Sequence, residues 1–414
     1  MKTKIIILGG GFAGLRAYYR LNEFAGNLDI TVIDKRSQLL EKPSLPEVAF
    51  SGKPVASVLI DLQPAVEHKK GRFIHAEVTQ INPDQKTVTL HTQEELSFDY
   101  LIIASGAVKD YQAIDGLSQY GYSVCDDAHA AELWKALQNF KGGNIVIGTA
   151  KSTFGTQVKA PNLAAPCEGP VGEAMFMIDS FLKEKKMRDQ STIHVFSPGK
   201  IFFEDVGDHV RNKVGGIMKK HNISLSTDKV VTQITADTVF FEDHDKIPCD
   251  LAIVIPPYKA LPIFKECGLG DDAGFIPTDT AMKHTTFEGI YAIGDINALA
   301  QPKLGHIAVH QADIAVSAII KEMTGEGQII KYEPSVFCIM NMGGQEAILI
   351  YSDNLYEGDN DLAFHSPMAR MMKWSFDSYY YFTQGHMFPD FAVEGMEKFL
   401  SLFKEDKDKY IPFE

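Results

Sequence analysis

The sequence predicts an α/β chain: two three-layer, Rossmann-like dinucleotide-binding domains followed by a C-terminal helical segment. Three observations predict it. Near the N-terminus, Lys4-Ile-Ile-Ile-Leu-Gly-Gly-Gly-Phe-Ala-Gly14 runs an apolar strand into a glycine-rich turn. A second apolar strand, Asn144-Ile-Val-Ile-Gly148, repeats that beginning, and the chain beyond residue 330 becomes rich in aromatics.

The first turn reads Gly9-x-Gly11-x-x-Gly14, with Phe12 and Ala13 inside it. Gly9 permits the tight turn, Gly11 lets a diphosphate approach the backbone, and Gly14 lets helix and strand pack closely. The diphosphate would rest on free N–H groups at the helix N-terminus. A second strand, Ile30 to Ile33, ends in Asp34 and Lys35, about twenty residues after Gly14, where a carboxylate accepts bonds from ribose hydroxyls. Residues 35–48, with Pro43 and Pro46, read as a loop. Strands are expected over 73–81 and 87–92 around Asn82-Pro-Asp-Gln, leading to Phe98-Asp-Tyr-Leu-Ile-Ile-Ala104-Ser105-Gly106. Small residues at its end allow a second close backbone approach.

In the repeat, only Gly148 holds a glycine position; Ala150 and Thr153 stand where glycines are wanted. The next strand, 193–196, ends in Ser197 rather than an acid, so this half reads as a dinucleotide fold that no longer binds one. An insertion, 154–170, carries Pro-Cys167-Glu-Gly-Pro. An amphipathic helix over 207–220 and a buried strand over 251–255 follow. Gly289-Ile-Tyr-Ala-Ile-Gly294-Asp295 is a strand ending in Gly-Asp, suited to cofactor contact, before Lys303 and a helix over 308–323. Residues 337–344 and 347–352 form a hairpin. Beyond it lie Trp374, Phe376, Tyr379, Tyr380, Tyr381, Phe382, Phe388 and Phe391, then Met396, Phe399, Leu400 and Phe403 on one helical face. Composition there fits both a core face and a membrane-interface surface.

The 414 residues are long for one core, so two or three domains are expected. A net charge of −14 argues against nucleic acid, which needs a basic surface. No apolar run reaches the ~18 residues of a spanning helix. The fingerprint starts at residue 4, which leaves no room for a cleaved signal peptide, so synthesis without one is expected. Five scattered cysteines without a CxxC disfavour a metal site.

The first fingerprint, the Ala104-Ser105-Gly106 turn and the Gly294-Asp295 strand end resemble the two-dinucleotide-binding-domain flavoproteins, over residues 4–390. Within that superfamily the cysteines resemble those of the sulfide:quinone oxidoreductases. Ser-Val-Cys125-Asp-Asp-Ala-His129, Pro-Cys167-Glu-Gly-Pro and Phe-Cys338-Ile-Met-Asn-Met-Gly each match in order and context. Pro302-Lys303 is similar to the lysine near the flavin pyrimidine, and Lys373-Trp-Ser-Phe376-Asp-Ser-Tyr-Tyr380 to the segment lining the quinone pocket. Glu168, where a small residue is expected, and Asp126–Asp127 depart from the pattern.

The resemblance implies FAD in a discontinuous domain of 1–110 and 275–330, a degenerate second domain over 111–274, and a quinone- and membrane-associating region over 331–414. It implies Cys167 and Cys338 beside the flavin, bridged by sulfur. Hydrosulfide would attack the bridge by exchange, and the liberated Cys338 thiolate would react with the flavin. Cys125 would assist sulfur handling or tether FAD, and His129 would relay protons. Sulfur leaves as polysulfide. A ubiquinone- or menaquinone-type quinone near Lys373, Phe376 and Tyr380 takes the electrons. The expected protein is peripheral and monotopic, without a transmembrane helix, on an unassigned membrane face; a homo-oligomer is compatible. Three rivals stand beside this reading. A type II NADH:quinone oxidoreductase needs an intact second fingerprint. The flavin subunit of a flavocytochrome c sulfide dehydrogenase normally has an export signal. A flavin redox sensor predicts no turnover. Cys249 and Cys267 match no motif and read as small core residues.

Overall fold

The computed structural model of the chain describes residues 2–24, 26–152, 163–299, 301–392, 395 and 398. Thr153, the insertion as far as residue 162 and the apolar face of Met396, Phe399, Leu400 and Phe403 lie outside the described residues.

The first sheet grows from β1 (Thr3–Leu8), whose Ile5 to Leu8 are all buried, as a parallel strand covered on both faces requires. The chain then passes through helix α1 (Phe12–Glu23), β2 (Leu28–Asp34), a short helix α2 (Leu45–Ser51), β3 (Arg72–His75) and β4 (Tyr100–Ile103). Strand Ile290–Ala292 returns from far downstream to complete a five-stranded sheet, in the order Ile290–Ala292, β4, β1, β2, β3. Every pairing in it is parallel.

The second half repeats this plan. Helix α3 (Asp127–Asn139) leads to β5 (Gly143–Thr149), α4 (Gly169–Glu184), β6 (Ser191–Phe196), α5 (Asp208–Lys220), β7 (Ile223–Ser226) and β8 (Leu251–Ile255). The strand order is Gly121–Tyr122, β8, β5, β6, β7, again with parallel pairing. In each half an antiparallel three-stranded sheet interrupts the parallel one, at 78–97 and at 231–248. After the long helix α6 (Gly305–Thr324), a third antiparallel sheet of β9 (Val336–Gly343), β10 (Glu346–Ser352) and β11 (Asp361–His365) leads into α7 (Pro367–Phe382).

Two expectations are corrected. Residues 73–81 are not one strand. Phe73 to His75 pair in parallel with β2, whereas Val78–Asn82 turns away to pair antiparallel with Thr87–Leu90. The Ala76 N–H bond to the Asp34 carbonyl marks the departure; alternation reveals a strand but not which sheet it joins. Residues 35–48 are not a plain loop either. Gln38–Leu40 pairs with Leu59–Asp61, and α2 begins at Leu45 with Pro46 in its first turn, where a missing N–H costs nothing.

Candidate functional site

One cavity of about 2120 Å³ runs from the first turn across the face of the second half to α7. At its head, Gly9 has φ +107°, and a side chain there would strike the Ala104 carbonyl. A Cβ on Gly14 would run into the Gly9 carbonyl, whereas one on Gly11 would meet open space. Gly14 therefore packs α1 onto the turn behind the cavity, and Gly11 opens into it. Phe12 and Ala13 also line the cavity, at a helix start that carries no acidic residue and no side-chain cap. Free N–H groups and the helix dipole together make this a cradle for a diphosphate.

Asp34 closes the head. One carboxylate oxygen accepts from Gly10 N at 2.6 Å, the other from Arg36 N at 2.7 Å, and Lys35 lies beside it on the cavity wall. Opposite stand Ala104, Ser105 and Gly106, with Gly294, Asp295 and Lys303 farther along. Burial would raise the Asp295 carboxyl, but Lys42, Lys109 and Lys303 outweigh it and hold it below the usual carboxylate range. Burial brings Lys303 down to about 8, against Asp295 and Asp271, and its Nζ donates to the Asn297 carbonyl at 2.8 Å.

The same cavity is lined by Cys125, Cys167 and Cys338, all free thiols. Cys167 immediately precedes α4, and Cys338 lies on β9. A Cβ on Gly169 would be 3.8 Å from both sulfurs, so the two sulfurs are no farther apart than twice that distance. Glu173, one turn into α4, makes this juxtaposition. Its Oε1 accepts from Asn341 N on β9 at 3.0 Å and from Lys373 Nζ on α7 at 2.8 Å. The Pro166 carbonyl accepts from Lys303 N at 2.9 Å and ties the other side. Burial pushes the Cys167 thiol well up, with Asp205 and Cys338 adding to it. Burial and Glu173 push Cys338 up to about 12, and burial raises Cys125 against the nearby Lys109.

Some expected residues stand elsewhere. His129 does not line the cavity. It stacks on Tyr111 at 3.8 Å, and its backbone N–H caps α3 on Asp126. Asp126 also takes the Tyr111 hydroxyl, and Asp127 pairs with Arg36, so the acidic Cys125 loop is used structurally. The Glu168 carboxyl is fully buried away from the cavity, accepting from Ser197 Oγ at 2.6 Å and Glu204 N at 2.9 Å. Lys373 and Phe376 line the cavity but Tyr380 does not. It is fully buried behind them, stacked 5.0 Å from Phe12 and 5.6 Å from Phe376, its hydroxyl without a partner among the described residues.

Several residues at the site escaped sequence reasoning: Glu173, Lys42, Lys109, Tyr258 and Asp377. Glu173 lies one helical turn after Gly169, the residue that both sulfurs flank. Tyr258, which lines the wall with Lys109 Nζ 3.7 Å above its ring, carries no local signal.

In the second half, a Cβ on Gly148 would meet the Phe196 ring, and Ser197 is buried on Glu168. Where β2 of the first half ends in Asp34, β6 of this half is followed by a hydroxyl already spent.

The family model described as pyridine nucleotide-disulphide oxidoreductase matches residues 3–312. The chain is similar to a protein of Aquifex aeolicus (strain VF5) named sulfide-quinone reductase, 23% identical over 97% of this chain and 96% of the relative. It is similar to a mitochondrial sulfide:quinone oxidoreductase of Mus musculus, 24% identical over 84% of this chain and 78% of the relative. Among solved structures, the sulfide:quinone oxidoreductase from Aquifex aeolicus superposes with a TM-score of 0.86, 20% identity and coverage of 96% and 95%, which shows the fold.

Proposed function

Because this chain belongs to the pyridine nucleotide-disulphide oxidoreductase family, we propose that its cysteine-lined cavity makes it a sulfide:quinone oxidoreductase, with FAD as its cofactor. Hydrogen sulfide is oxidised to zero-valent sulfur or polysulfide, and a membrane quinone accepts the electrons. The observation that carries this reading is the meeting of Cys167 and Cys338 around Gly169, in the cavity that begins at the diphosphate cradle.

The residues present fit FAD. The Gly11 opening and the first turn of α1 would take the diphosphate, Asp34 the ribose, and Asp295 the ribityl chain, with Ala104 to Gly106 and Lys303 along the ring system. Bound FAD supplies a two-electron acceptor beside the cysteines. The chain's own residues do the rest. The low-dielectric pocket disfavours thiolates. Hydrosulfide enters by attacking a sulfur bridge between Cys167 and Cys338: the S–S bond breaks, one cysteine keeps the added sulfur as a persulfide and the other is released as the thiol. Glu173 positions both sulfurs. Lys373 is the cation at the quinone end, kept charged by Glu173 and Asp377 against its burial. Tyr380 backs this wall without touching the quinone, and His129 stays outside the sulfur path.

The domain division belongs to the same proposal: 1–110 with 275–330 for FAD, 111–274 for the filled second half, and 331–414 for quinone and membrane. Met371, Trp374 and Phe382 on α7, with Phe391 beyond it, are 54, 65, 89 and 76% exposed and would dip into one leaflet. Among the described residues no helix is long and apolar enough to cross a membrane. Ser197, bonded to Glu168 where the first half has Asp34, speaks against NADH as donor. Purified protein should reduce a short-chain quinone with sulfide and not with NADH; NADH-driven turnover without sulfide activity contradicts the proposal.

A further inference from the structure

Four acids and three bases meet where α7, α2 and α4 close the quinone end of the cavity. Glu47 pairs with Lys53 at 2.9 Å and Arg370 at 2.6 Å, and Glu173 pairs with Lys373 at 2.8 Å. These pairs engage all three bases. Glu41 and Asp377 are left without a direct cation partner among the described residues, and both are buried.

Their bonding is incomplete. Glu41 Oε2 accepts from Ser44 N at 2.9 Å and from the Tyr381 hydroxyl at 3.0 Å, while its Oε1 has no partner among the described residues. Asp377 Oδ1 has none either. Asp377 lies one helical turn from both Lys373 and Tyr381, so all three share a face of α7. Asp377 and Lys373 line the cavity, and Glu41 sits just behind. Two ionised carboxylates here would be desolvated, with Lys373, their shared counter-charge, already paired to Glu173.

The geometry points to Glu41 and Asp377 holding one proton between them, which Asp377 delivers to the quinone as it is reduced. This rests on the functional reading above. The balance needs such a proton: hydrosulfide, quinone and one further proton give zero-valent sulfur and quinol. The carboxyl O–H bond breaks, a quinone O–H bond forms, and the two electrons come from hydrosulfide by way of the cofactor. The emptied pair is refilled from solvent past Tyr381, Ser44 and the part-exposed Lys53. Burial, then the charge of Glu41, pushes Asp377 up to about 7, with Lys373 opposing; burial likewise raises Glu41. Delivery therefore weakens as pH rises through about 7.

The test uses holoenzyme. Infrared spectra near neutral pH should show a buried protonated carboxyl band that shifts in deuterium oxide and is lost in the Glu41→Gln/Asp377→Asn double variant. No band, or the same band in the double variant, overturns the shared proton. In Asp377→Asn, sulfide should bleach the flavin at the wild-type rate, while reoxidation by a short-chain quinone slows on the order of 10²-fold and loses its fall above neutral pH. An unchanged reoxidation rate and pH profile overturns delivery. A wild-type flavin that sulfide bleaches but no quinone restores overturns the acceptor reading and delivery with it, and the infrared band still judges the pair. If the double variant does not fold, the wild-type band decides: transient loss during quinone reduction is expected, and a constant band overturns delivery.

Discussion

Gly11 and Gly14 belong to one motif but do different work, and substitution separates them. In Gly11→Ala the new methyl meets open space in the protein but occupies the cradle, so thermal stability of the flavin-free protein should hold within about 0.5 kcal/mol while bound flavin per protein falls sharply. In Gly14→Val the side chain collides with the Gly9 carbonyl, so soluble yield and stability should both collapse. Flavin absorbance ratios and melting curves check both. Lys373 and Tyr380 form a second contrast. Lys373→Met strands the buried Glu173 and should cost about 3–5 kcal/mol, together with quinone activity. Tyr380→Phe removes only an unpartnered buried hydroxyl, so stability should be unchanged or slightly higher and the quinone KM unaltered. A raised quinone KM in Tyr380→Phe would return that residue to the quinone wall.

At the scale of elements, α7 has two faces: Lys373, Asp377 and Tyr380 are buried, whereas Trp374 and Phe382 stand in solvent. The Trp374→Ser/Phe382→Ser variant should lose sedimentation with lipid vesicles while keeping sulfide-driven bleaching; undiminished sedimentation would remove α7 as the docking face. The Glu168 carboxyl at the start of α4 gives a pH prediction. Burial lifts it from 4.5 to about 8. The folded state therefore holds a proton that the unfolded chain releases between those values, and stability falls as pH rises through that window. Melting temperature should decline from weakly acidic pH toward pH 8, less steeply in Glu168→Gln. An equal slope in both proteins would assign the decline elsewhere. Elements were legible where period and punctuation agree: β1 with its glycines, β5, α5 and the β9–β10 hairpin follow the apolar pattern. The pattern failed at α2, where prolines suggested a loop, and at 73–81, where one alternation covers two sheets. The three cysteines were legible by context, but the groups that position them were not. Lys373 was legible for the quinone wall but its partner was not: Glu173 meets it and Asn341 from three distant elements, and nothing local in the sequence announces an ion pair across such separations.

On the scale of the whole molecule, the same five-stranded parallel plan is built twice. In the first copy Gly11 opens into the cavity beside Asp34; in the second, Ser197 follows β6 and is bonded to Glu168, and Cys125 and Cys167 line the cavity. The third sheet then brings Cys338 across, and α7 closes the far end. One continuous cavity thus joins cradle, cysteines and Lys373. The central claim is that Cys167 and Cys338 act together as the sulfide-oxidising pair. The most direct measurement is anaerobic rapid mixing of sulfide with flavin-loaded wild-type protein, Cys167→Ser and Cys338→Ser, following flavin absorbance. The account predicts bleaching in the wild type and none in either variant, although both retain flavin. Bleaching of either variant at the wild-type rate would contradict it.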